Sequence, residues 1–220
     1  MKKCNKYYLS VEGETEKWYF EHLQKLINAN ERIPFTAKFN IKINKSITSS
    51  AKSITAIYKN TPAFHICDYE SNEQVHIEQF EQILKELKDV KNINKNINYK
   101  LGYSNFAFDL WIILHKKQQL GSISHRKQYV QGINLAYKEN FQFIEDYKEE
   151  KIFKRILSQI SLDDVIRAVK NGDEMRRKNE ENSQDKCRLY GNFKYYTENP
   201  DMTINECVRQ ILEECEIIKK

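Results

Sequence analysis

Glycine and proline are scarce in this chain of 220 residues, at 6 and 3, so collagen-like and low-complexity architectures are excluded and no segment stands out as a linker. No internal repeat is visible. The 5 cysteines include no C-x-x-C pair and have no histidine at zinc-ligand spacing, which argues against a structural zinc site. No apolar run approaches the ~20 residues that a bilayer-spanning helix requires, so no membrane association is expected. The opening MKKCNKYYLSVEG lacks an apolar stretch after its basic residues, and a signal peptide is not expected. With an odd cysteine count this reads as a cytoplasmic protein with reduced thiols. A G-x-x-x-x-G-K-[ST] phosphate loop, a G-x-S-x-G elbow and an H-E-x-x-H helix are all missing, so the chain is not expected to hydrolyse nucleoside triphosphates itself.

What is present is the composition of a globular protein, 40% apolar and 30% charged, with 11 Phe and 13 Tyr. Lys plus Arg exceed Asp plus Glu by 36 to 31, and the net charge of +5 is spread without a block of like charges. That is weak support for a polyanionic partner, because ordinary basicity explains it equally well.

Alternation predicts a strand near 6–12 and helical spacing predicts a helix over 14–30, with Trp18, Phe20, Leu23, Leu26 and Ile27 as its apolar positions. A second strand follows at Phe39, Ile41 and Ile43, then a short helix from Ser46 to Asn60. The run AFHICD, ending at Asp68, reads as a third strand, Gln74–Val90 as a helix, and YKLGYS as a fourth strand. Strands alternating with helices point to an α/β fold with a mostly parallel sheet flanked by helices. From residue 106 the pattern reads as all helical, near 106–117, 125–139, 150–159, 161–178 and 202–219, with KNEENSQDK as a polar loop. The expected division is a catalytic core over 1–120 and a helical extension over 121–220.

The acids are the informative residues. Ligands of open parallel sheets bind at the carboxyl ends of the strands. Glu12 ends the first strand, and Asp68 and Glu70 end the third, so acids from two separate strand ends are expected in one cleft. Glu16 lies four residues beyond Glu12 and faces either that cleft or the helix surface. Hard divalent cations take oxygen ligands, and an ion pair ~4 Å apart can hold both the attacking and the leaving oxygen of a phosphodiester. The competing reading, that acids near a helix start merely suit its dipole, is preferred for Glu14. In SNFAFDLWIILHKK, Ser104 or Asn105 is a candidate helix cap and Asp109 is the one charge in an apolar helix, so it must be buried with a partner. A buried Asp–Arg pair and a role at the cleft explain it equally. The basic segment RRKNEENSQDKCR reads as a solvated face.

The segments VEGETEKWYF, SNFAFDLWIILH and NPDMTINECVRQIL, in that order, resemble those of the RloB family, and Glu12-Gly13 with Asp68-x-Glu70 resembles the Toprim catalytic domain. The resemblance implies a Toprim-like nuclease of bacterial anti-phage defence (abortive infection), encoded beside an AAA/ABC-type ATPase. It matches Glu12 and Glu16 to the two acids of E-G-x-x-E, and Asp68 and Glu70 to a D-x-D pair with Glu in the second place. Asp109 stands where the family commonly has Glu. The expectation is therefore a Mg²⁺- or Mn²⁺-dependent phosphodiesterase. Glu12, Glu16, Asp68 and Glu70 would hold metal, with Asp109 as a supporting acid, and the substrate would be DNA or RNA, tRNA included. The alternative is a non-catalytic recognition or regulatory subunit of an ATPase-containing complex.

Overall fold

A computed structural model of the chain describes residues 2–56, 58–118, 123, 125–198 and 200–219. Four parallel strands form its centre: β1 (Lys3–Val11), β2 (Phe35–Ile43), β3 (Thr61–Asp68) and β4 (Ile97–Asn105). Their order across the sheet is β2-β1-β3-β4. The crossovers are α1 (Glu14–Ala29), α2 (Ile47–Ser53) and α3 (Gln74–Ile93). Helix α1 buries Tyr19, Phe20, Leu23 and Ile27, at helical spacing, so one stripe meets the sheet, and Glu16 is the one charged residue of the helix buried with it. On that sheet face Tyr7, Leu9 and Val11 of β1 are buried, and the Tyr7 ring packs on Phe39 and Phe64.

Helix α2 stops at Ser53, well short of the expected Asn60. Two amide side chains explain this: Asn94 Nδ2 donates to the carbonyl of Ile54 at 3.1 Å, and Asn96 Nδ2 to that of Ala56 at 2.9 Å. Those carbonyls are thereby satisfied without helical partners, and the chain runs extended.

Beyond β4 come α4 (Asp109–Leu114), α5 (Tyr129–Tyr137), α6 (Glu150–Leu157) and α7 (Leu162–Asn182). The boundary expected near residue 120 lies outside the described residues. Helix α4 is shorter than expected, and Ser104 and Asn105 are the last residues of β4, not its caps. Helix α7 is longer and absorbs the first part of KNEENSQDK. Its start carries a capping box between Ser161 and Asp164, and its far end is laced by Arg177–Glu174, Arg177–Glu181 and Lys178–Glu174 pairs.

The C-terminal half is not all helical. A hairpin of β5 (Cys187–Tyr190) and β6 (Phe193–Tyr196) turns at Gly191-Asn192, with Gly191 at φ 58°, where a side chain would be strained. Its Tyr195 packs against Tyr69, Phe80 and Tyr103, and this aromatic contact rewards strand over helix. Strand β7 (Asp201–Met202) then pairs antiparallel with β4 as the fifth strand of the sheet, and α8 (Ile204–Glu214) packs back on β4. The helix expected from 202 starts later because Thr203 bonds across the sheet, its Oγ1 donating to Leu101 O at 2.7 Å and accepting from Tyr103 N at 3.1 Å. Among the described residues no helix is long and apolar enough to cross a membrane.

Candidate functional site

Parallel strands end together, so residues leaving β1, β3 and β4 meet at one edge of the sheet. Val11 and Ile66 are register partners, which brings Glu12, one residue after β1, beside Asp68, the last residue of β3. The two strand ends are tied directly: Asp68 N–H donates to Glu12 Oε2 at 3.1 Å. Glu16 comes from the first turn of α1 and bends back over Gly13, where an added Cβ would stand 3.0 Å from Glu16 Oε2. The glycine of E-G-x-x-E is therefore a space for the second acid. Thr15 Oγ1 donates to the same oxygen at 3.1 Å. Asp109 enters from the start of α4, 1% exposed.

A residue that the sequence reading missed completes the cluster. Lys148, at the end of a 3₁₀ turn over Asp146–Lys148, places Nζ 3.0 Å from Asp109 Oδ2. Nothing in its surroundings advertised it, because it stands among charged residues outside every motif; the one signal is the neighbouring Tyr147, which is buried.

The electrostatics are those of acids outnumbering their cation. Burial pushes the Glu12 carboxyl up to about 7, with Glu16 and Glu70 adding to the rise, against the Asp68 N–H bond and Lys45. Burial likewise holds Asp68 well above the usual carboxylate range; Glu16 and Glu12 raise it further and Lys148 opposes them. Glu16 is raised by burial and Asp109, and lowered by its own N–H, Lys148 and Thr15. Burial raises Asp109 too, against Lys148 and Arg126. Burial disfavours the charge of Lys148, but Asp109, Asp68 and Glu16 outweigh it and lift its pKa above the ordinary value. These acids repel one another, so further positive charge in the cluster would stabilise their ionised forms.

Glu70 stands apart from the other four. Its φ of 64° turns its side chain away, toward His76 Nε2 at 3.2 Å and Arg126 Nη1 at 3.7 Å. Its charge still reaches Glu12. His115, at the end of α4, is buried between Trp111 O at 2.8 Å and Tyr19 OH at 3.1 Å; burial pushes its pKa down to about 4, and its role is structural. In the basic segment that begins within α7, Arg176 is bound to Asp201 at 2.9 Å instead of being solvated.

The donor chemistry fits a hard divalent cation, since the cluster offers carboxylate oxygens from Glu12, Glu16, Asp68 and Asp109 in excess of the Lys148 ammonium. The side chains are not drawn together around a common point: among the described residues, no three His, Cys, Asp or Glu groups are placed to hold a metal ion.

A family model described as RloB-like protein matches residues 7–211. The chain belongs to the RloB-like family. The matched RloB-like range includes Glu12, Glu16, Asp68, Glu70, Asp109 and Lys148, so the whole acid cluster is part of the family domain and none of it is an appendage. No curated protein and no solved structure matches the chain.

Proposed function

We propose that this RloB-like protein is a Toprim-type, Mg²⁺- or Mn²⁺-dependent nuclease that hydrolyses phosphodiester bonds in DNA or RNA, tRNA included. The observation that carries the reading is the meeting of Glu12, Glu16, Asp68 and Asp109, from three strand ends, where Glu16, Asp68 and Asp109 share the Lys148 ammonium. Glu12 and Asp68 would hold the cation, with Glu16 beside them. A divalent cation there supplies Lewis acidity and a lowered pKa for water. Glu70, held by His76 and Arg126, reaches the cation site only by rotating its side chain. Arg126 and Lys45, at the rim, suit the phosphates flanking the scissile bond, and Lys148 suits charge that develops on the phosphoryl oxygens. The RloB resemblance supports a cytoplasmic role in anti-phage defence with an AAA/ABC-type ATPase partner.

The test is incubation of purified protein with Mn²⁺ and labelled DNA or RNA, alone and with the product of the neighbouring ATPase gene, beside Glu12→Ala. Cleavage by the wild type but not the variant is expected. Equal cleavage by both would expose contamination. One observation favours a second reading, a non-catalytic subunit docked on the ATPase: the acids stand around Lys148 and are not converged for a metal. Failure of both preparations to cleave, with Mn²⁺ leaving the melting temperature unchanged, would establish that reading instead.

A further inference from the structure

The sheet face opposite α1 breaks the rule for parallel sheets, whose two covered faces are normally apolar. Register places Asn40, Tyr8, Ala63 and Tyr99 in one row across β2, β1, β3 and β4. The next row on the same face is Lys42, Ser10, His65 and Leu101. Ser10, 1% exposed, sits at the centre, its hydroxyl 2.8 Å from His65 Nδ1 and 2.8 Å from the Tyr99 hydroxyl. Above these rows lies a cavity of about 160 Å³, walled by Tyr8 and Tyr99 and closed by Ser50 and Ser53 of the seven-residue α2.

Two features give this cavity its chemistry. Ser50 is 3% exposed, and its hydroxyl stands at the cavity beside that of Tyr99. It adds to the cavity wall a second hydroxyl that can both donate and accept. The second feature is Lys42, exposed at the mouth, whose ammonium donates to the neutral Ser53 Oγ at 3.0 Å and has no acidic partner among the described residues.

We propose that this cavity binds a nucleoside 5′-monophosphate, base inside and phosphate on Lys42. The volume is below the ~300 Å³ at which pockets for drug-sized ligands begin, so it admits one small ring system and leaves the rest of the ligand outside. Aromatic walls suit the faces of a planar heterocycle, and hydroxyls that both donate and accept suit its edge. The unpaired ammonium at the mouth supplies the charge complement of a phosphate. This site lies on the sheet face away from the acid cluster's helix α1, and its occupancy does not depend on nuclease activity.

Titration calorimetry of the intact protein with the four common ribonucleoside 5′-monophosphates, ribose 5-phosphate and inorganic phosphate tests it. At least one nucleotide should bind with a dissociation constant below about 1 mM, at least tenfold tighter than ribose 5-phosphate or phosphate. Lys42→Ala should weaken that binding by about tenfold. Ser53→Trp, a change at an exposed position over the mouth, should abolish it with the melting temperature unchanged. The proposal is overturned if no nucleotide binds, which leaves a cavity filled by about five waters at ~30 Å³ each. It is equally overturned if phosphate or ribose 5-phosphate binds as well as the nucleotides, or if a stable Ser53→Trp protein binds as the wild type does.

Discussion

Two buried carboxylates near the ends of β4 and β7 make opposite bargains with their surroundings. Asp201 is 0% exposed and has a partner for each oxygen: Arg176 at 2.9 Å and the Tyr103 hydroxyl on one, Asn179 at 3.5 Å on the other. Burial raises its pKa to about 6 while Arg176 and the hydrogen bonds hold it down. Asp109, equally buried, shares with Asp68 and Glu16 the ammonium of Lys148, which stands 3.0 Å from its Oδ2. A buried charge with its own cation and hydrogen bonds holds a fold together. Several acids sharing one ammonium leave a demand for positive charge, which a divalent cation would meet under the proposed function.

The contrast is broken most forcefully from the structural side. Replacing Arg176 with Met leaves Asp201 buried and unpaired, and should cost about 3–5 kcal/mol in a urea unfolding curve. A loss under 1 kcal/mol would remove the distinction. The next effect compares charges with buried neutral imidazoles. Burial lowers both His65 and His115 to about 4, below the ordinary 6.5. The unfolded chain therefore binds more protons between those values: their stabilisation is complete above about pH 6.5 and is lost as pH falls toward 4. The buried acids, raised by the same burial, act in the opposite direction over this range, so the imidazole effect is read as a difference: between pH 7.5 and 4.5 the wild type should lose about 2–3 kcal/mol more stability, or gain that much less, than His115→Gln, and an equal pH dependence in the two proteins would contradict the assignment.

Asp68→Asn should act in the opposite sense to Arg176→Met. Removing one repelling acid should raise the melting temperature in EDTA by about 2–4 °C, the shift that ~1 kcal/mol produces in a protein of this size. It should also abolish any rise in melting temperature caused by Mn²⁺. The smallest effect is expected for Gly13→Ala, whose methyl meets Glu16 Oε2 at 3.0 Å. The carboxylate can shift by a few tenths of an ångström, so stability should change by about 1 kcal/mol or less while Mn²⁺ affinity falls.

Much of this was readable from the chain itself. Four strands, three crossovers and the meeting of Glu12 with Asp68 follow from periodicity and from the rule that parallel strands end together. Four things did not follow, each for a physical reason. The β5–β6 hairpin carries a two-residue turn signal in Tyr190-Gly191-Asn192-Phe193, but its four-residue strands are too short for alternation to register. The extent of α2 was set by amides at Asn94 and Asn96, forty residues away along the chain. Lys148 joined the acids through tertiary placement alone, and Glu70 left them through one backbone angle, neither of which leaves a local pattern.

The central claim is most directly tested by a crystal grown with Mn²⁺ and examined for anomalous scattering. The account predicts a peak within coordination distance of both the Glu12 and the Asp68 carboxylates, with their oxygens drawn together around it. Density with no such peak, and Lys148 still the sole cation among the acids, would contradict it.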